Sequence, residues 1–114
     1  MVNRYLPTPV LHRVVEKDGF VFVGGTACDD TSKDIKGQTL ETLEKMEGYL
    51  HEAGSDKNKV LFATIYLASL DLKAEMSEVW GDWFEAEHLP ARATLCSPDL
   101  GGDTLIEIFV TAYK

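Results

Sequence analysis

Cysteine is nearly absent. Cys28 and Cys96 are the only two in 114 residues, and they fall outside any CxxC spacing. Neither a redox dithiol nor a thiolate zinc site is indicated, and a reducing cytoplasm is the default compartment. No apolar run approaches the roughly 20 residues needed to cross a bilayer. The stretch Met1 to Pro9 also lacks the apolar centre of a secretory leader. Positive charge is scarce: 11 Lys and Arg stand against 19 Asp and Glu, a net charge of −8 with no basic cluster. Phosphates must be neutralised by Lys and Arg, so nucleic acid and anionic membrane surfaces are excluded as expected partners. His12, His51 and His88 contain no i, i+4 pair, and each reads as a surface or loop residue. Gly24-Gly25 is not followed by the pattern of a phosphate loop. Asp29, Asp30 and Asp34 lack the spacing and terminal Glu of a calcium loop, so a solvated loop is the better reading.

What is present is ordinary for a globular chain, 45% hydrophobic and 26% charged, and the length fits one domain spanning 1–114. The two early prolines, Pro7 and Pro9, predict an extended arm. Val10 to Val15 and Phe20 to Val23 read as a hairpin about Glu16-Lys17-Asp18-Gly19, and Gly24-Gly25-Thr26 then breaks the strand. Ile35, Thr39, Leu40, Leu43, Met46, Leu50 and Ala53 recur at three- and four-residue spacing, predicting a helix capped by Asp34 or Ser32 and stopped by Gly54. Val60 to Leu67 is strand-like, which makes a parallel crossover around the helix plausible. Asp71 is positioned to cap a second helix. Its stripe of Leu72, Met76, Val79, Trp80, Trp83 and Phe84 reads as core rather than a cofactor box. Glu85 to Pro90 is a loop.

Two closing strands carry the charges that stand out. In Ala91 to Cys96, alternation puts Arg92, Thr94 and Cys96 on one face. In Leu105 to Ala112, it puts Glu107 and Phe109 opposite Ile106, Ile108, Val110 and Ala112. An unpaired ion among apolar neighbours costs several kcal/mol or more. Either Arg92 and Glu107 pair, or one strand is an edge with its charge in water, or the charges serve a ligand. Cys96 shares the predicted face of Arg92, so a positive neighbour would make it reactive; a small buried thiol is the commoner fate.

The order β-β-α-β-α-β-β supplies two helices for five or six strands. Two helices cover one side of such a sheet, which gives an α+β, two-layer sandwich. The bare side would carry apolar side chains from at least the last strand, and a patch of that kind marks an interface. A closed oligomer with sheet faces meeting is expected.

Leu89-Pro90-Ala91-Arg92-Ala93-Thr94, followed by Ile106-Glu107-Ile108, resembles the C-terminal signature of the Rid family, the YjgF-like reactive intermediate deaminases. Phe20 to Thr26, Gln38-Thr39-Leu40, Leu50 to Ser55, Val60 to Leu67 and Trp83-Phe84 extend the resemblance over nearly the whole chain. It implies a chorismate-mutase-like fold of the bacillus type, forming a homotrimer around a central β-barrel with clefts between subunits. It also implies hydrolysis of 2-imino or enamino acids to 2-keto acids and ammonia, with no metal or cofactor. Arg92 would bind the substrate carboxylate through its planar fork, and Glu107 would assist the water. The backbone near Gly25 would shape another wall. Archetypal members carry tyrosine where Leu11 stands, asparagine at Ser77, cysteine at Thr94 and a second carboxylate at Phe109. The loop before Pro90 is also about two residues shorter than in those members. These departures, with the Trp80/Trp83 pair, look like a divergent subgroup. A non-catalytic binder of small carboxylates is the alternative. A ribonuclease or translation inhibitor, roles attached to some members, is disfavoured by the acidic balance.

Overall fold

The computed structural model describes residues 1–114 and contains six strands and two helices. The strands are β1 (Val2–Pro7), β2 (His12–Lys17), β3 (Phe20–Thr26), β4 (Val60–Leu67), β5 (Ala91–Cys96) and β6 (Ile106–Tyr113). They form one sheet in the order β1-β2-β3-β6-β4-β5. Helices α1 (Ile35–Glu52) and α2 (Lys73–Trp83) pack on one face.

The observed order is β-β-β-α-β-α-β-β, which adds a strand at the start of the expected order and keeps to the five or six strands expected. The predicted arm is an edge strand, in antiparallel register from Val2↔Lys17 to Pro7↔His12. Pro7 ends it and Pro9 falls in the following turn, where neither is asked for a ladder donor. β2 runs two residues later than Val10 to Val15. The turn contracts to Asp18-Gly19, both at positive φ (53° and 83°), as a two-residue hairpin of this hand requires. Gly24 and Gly25 do not end β3. The register against β6 shifts between Val23 and Thr26, so they form a bulge within the strand.

Helix α1 begins where Asp34 accepts the Gly37 N–H at 2.9 Å. It ends at Gly54, whose φ of +81° would strain any side chain. Its buried stripe is Ile35, Gln38, Thr39, Thr42, Leu43, Met46 and Leu50. The Thr39 and Thr42 hydroxyls donate to the carbonyls four residues back, so burial leaves them paired. Leu40, expected on this stripe, is 43% exposed. Asp71 does not cap α2: Ser69 caps a single 3₁₀ turn over Leu70–Leu72, and α2 follows without a side-chain cap. Met76, Trp80 and Phe84 are buried, while Leu72, Val79 and Trp83 pack at the core margin.

β3 and β4 are not neighbours, because β6 lies antiparallel between them; the adjacent parallel pair is β4 and β5. Toward the helices the sheet presents Val14, Val21, Val23, Ala63, Ile65, Leu67, Ile106, Ile108, Val110 and Ala112. On the bare side, Phe20, Phe22, Phe62, Leu95, Phe109 and Tyr113 are each more than a third exposed. The expectation of a helix-covered sheet with one apolar face in the open is met within this chain.

Candidate functional site

Register decides where the two charges stand. Arg92 pairs with Ala63, a buried residue on the helix side. Glu107 pairs with Tyr66 on the bare side. Arg92 and Glu107 therefore lie on opposite faces, separated by β4, and one chain cannot pair them. β5 is an edge strand, yet its guanidinium is not simply in water.

Half-buried, Arg92 turns under α2. Its Nη2 donates to Ser77 Oγ at 3.0 Å, Nη1 approaches Met76 Sδ at 4.0 Å, and the guanidinium carbon lies 5.5 Å from the centre of the Trp80 ring. No carboxylate comes within 4 Å. Burial lowers its pKa from the ordinary arginine value. Ser77 and the ring fix one side of the fork and leave the remaining donors without an anion. Thr94 registers with Ile65, on the same face as Arg92. Cys96 shares that face too but is exposed. The buried thiol is Cys28, pushed up in pKa by desolvation and then by Glu41.

Glu107 makes a second group with Gly25. A methyl built on Gly25 would stand 2.6 Å from Glu107 Oε1, so the carboxylate occupies space that glycine alone leaves free at the bulge. Tyr66 flanks Glu107 and stacks on Phe109, with centroids 6.1 Å apart. Leu11 is not brought to either group. It lies in the exposed β1–β2 turn, where its N–H donates to Thr8 Oγ1 at 3.1 Å. Four strand spacings separate β2 from β5, on the order of 20 Å.

The one cavity of the chain is elsewhere. It occupies about 270 Å³ between the helices and is lined by Leu40, Val79, Asp82 and Trp83. The three side chains closest to a metal-ligand arrangement are Glu85, Glu87 and His88, on the 3₁₀ turn ahead of Pro90, with Glu85 and Glu87 exposed. Sequence reasoning did not single out this group, because its spacing matches no helical metal motif. It also passed over Gln38 as a functional candidate.

A two-layer α+β chain with an apolar sheet face, an unpaired arginine at one edge and a carboxylate over a glycine bulge defines a narrow class. The profile of the family described as Endoribonuclease L-PSP matches residues 3–114. A RutC family protein of Haemophilus ducreyi is 30% identical over 112 residues, spanning 98% of this chain and 96% of that one. A RutC family protein of Pyrococcus abyssi is 34% identical over 116 residues, spanning 95% and 91%. A solved YjgF-family structure from Neisseria meningitidis superposes with a TM-score of 0.95 at 32% identity, covering all of this chain and 95% of the other. The chain belongs to the YjgF/RutC family, in which the Rid proteins are grouped.

Proposed function

We propose that residues 1–114 act as one Rid-like domain that hydrolyses reactive 2-imino and enamino acids to 2-keto acids and ammonia, at clefts between the subunits of a homotrimer. The observation that carries this reading is the half-buried Arg92 fork, held by Ser77 and Trp80 and unmatched by any acid of its own chain. A planar array of this kind suits a carboxylate, and lysine would supply charge without the fork. The exposed phenyl-rich sheet face supplies a surface for self-association, with the sheets lining a central barrel. Association is needed, because Arg92 and Glu107 face apart within one chain. A second copy would complete the cleft around Arg92, with Gly25, Thr94, Ser77 and Leu11 as the remaining wall residues.

The reaction is short. Water adds to the electrophilic carbon of the protonated imine while Glu107 takes its proton. Glu107 returns that proton to the amine of the resulting carbinolamine; the C–N bond then breaks, nitrogen leaves as ammonia, and the hydroxyl proton passes to Glu107 as the keto C=O forms. Holding water against an already electrophilic carbon supplies much of the acceleration, so no metal or cofactor has a step to perform.

A second reading has its own support. The Arg92 fork, Ser77 and Trp80 stand together within one protomer while Glu107 faces away from them, which suits a trimeric binder of small carboxylates that performs no chemistry, its cleft still closed by a second copy. Cleavage of RNA is not favoured, since a net charge of −8 repels the polyanion. A coupled assay separates the two supported readings: threonine dehydratase generates 2-iminobutanoate, and the appearance of keto acid is followed with and without the protein. Faster hydrolysis that vanishes in Arg92→Ala supports the enzyme. A wild-type rate no better than Arg92→Ala, with 2-oxobutanoate still bound by wild type, supports the binder. A monomeric mass in solution contradicts any inter-subunit site.

A further inference from the structure

One buried amide joins the two chain segments that build the Glu107–Gly25 corner. Gln38 is fully enclosed on the inner stripe of α1. Its Nε2 donates to the carbonyls of Thr31 (3.3 Å), Lys33 (3.1 Å) and Asp103 (3.1 Å), and its Oε1 accepts the Leu105 N–H at 2.8 Å. Two amide hydrogens serve three carbonyls, so the donor side is shared and fully used. Thr31 and Lys33 belong to the connection that leaves β3 after Gly25. Asp103 and Leu105 belong to the connection that enters β6 before Glu107. The Leu105 carbonyl is fixed from the opposite side by the Ala68 N–H at 2.9 Å. Leu105 is thus gripped by α1 and by the end of β4, two residues ahead of Glu107.

We infer that Gln38 is a positioning residue: through the two connections it sets where the Glu107 carboxylate stands over the Gly25 backbone, without itself touching ligand. This rests on the reading of Glu107 as the group that directs water. Hydrophobic patterning does not call for an amide at this position. An apolar residue would fill the space and would leave three carbonyls and one N–H without partners, so the amide is there for the connections rather than for the helix.

The test is a double-mutant cycle with Gln38→Met and Gln38→Glu, each made in the wild-type and Glu107→Gln backgrounds. Gln38→Glu keeps an acceptor for Leu105 and loses the amide donors, so it remains available if the methionine variant does not fold. In the wild-type background kcat is expected to fall about ten- to a hundredfold, the cost of a misplacement of about 1 Å or less. KM and the affinity for 2-oxobutanoate stay within about twofold, because Arg92 is untouched. In the Glu107→Gln background the same change leaves kcat unaltered, while the loss of thermal stability is equal in both. An equal kcat loss in the two backgrounds reduces Gln38 to a structural residue and overturns the inference. A second readout is independent of turnover: the ¹³C resonance of the Glu107 carboxyl should move in Gln38→Glu, and an unmoved resonance also overturns it. Absence of imine turnover by the wild type would sink the hydrolysis reading alone, and the resonance would still decide the positioning.

Discussion

Arg92→Met separates recognition from folding. The substitution removes one hydrogen bond to Ser77, worth about 1 kcal/mol, and a stacking contact with Trp80 worth about 0.5–1 kcal/mol. It also relieves an unpaired, half-buried charge that burial disfavours, which offsets part of that loss. Methionine can restore contact through its sulfur against the Trp80 ring. The net change in stability should lie within about 1 kcal/mol of zero, a Tm shift of less than about 5 °C for a chain of this size. Recognition behaves otherwise. Two charge-assisted bonds to a carboxylate, each worth about 1.5–3 kcal/mol, correspond to a loss of affinity of about 10²- to 10⁴-fold. Arg92→Lys keeps the charge and loses the fork, giving an intermediate loss of about tenfold to a hundredfold. Titration calorimetry with 2-oxobutanoate and scanning calorimetry on the same samples measure both quantities. A Tm drop beyond about 10 °C would show that the guanidinium holds the fold together. Undiminished affinity would show that the acid is gripped elsewhere.

Gly25→Ala should fold normally, since Gly25 has no positive φ and its added methyl meets only the Glu107 side chain, which can turn aside. Turnover should fall with carboxylate affinity retained, and an unchanged kcat would contradict the placement of Glu107. Phe109→Asp puts a charge in the bare sheet face, and sedimentation should then report monomers with helical circular dichroism intact; an unaltered mass would show that this face does not mediate assembly. Glu16 accepts from Asn3 Nδ2 at 2.7 Å and from the Gly19 N–H at 3.1 Å, with Lys114 Nζ 3.8 Å away, and these hold its carboxyl below the usual range. Its stabilisation is therefore present above the unfolded value of about 4.3 and is lost as pH falls through the lower folded value. Glu16→Gln should lower Tm at pH 7 and flatten its decline below about pH 4.3; a decline parallel to wild type would argue against it.

Helix α1 was legible because an apolar stripe, a capping aspartate and a glycine stop agree on one element. The faces of β6 were legible from alternation alone. Other features needed the third dimension. Alternation sorts residues within one strand but does not say which side of the sheet each set joins, so the opposed placement of Arg92 and Glu107 emerges only from the β4–β5 and β4–β6 registers. Pro7 and Pro9 gave an extended arm but not its partner, and the pairing of that arm as an edge strand emerges only from the β1–β2 register. A double glycine reads equally as a stop or a bulge until its partner strand is known. Leu40 satisfied the helical period yet sits on the outer shoulder of α1, while the polar Gln38 took the inner place because its partners include Asp103 and Leu105, 65 and 67 residues away, beside the local carbonyls of Thr31 and Lys33.

Both ends of the chain converge on the Asp18-Gly19 hairpin. Val2 lies opposite Lys17, and the Lys114 N–H donates to the Gly19 carbonyl at 2.9 Å. A short peptide bridge could splice these ends and move the opening to Gly101-Gly102, producing a circular permutant with every strand adjacency intact. By the same geometry, fusion partners attached at either end would crowd a single corner of the molecule, beside the Glu16 carboxylate that ties Asn3, Gly19 and Lys114 together.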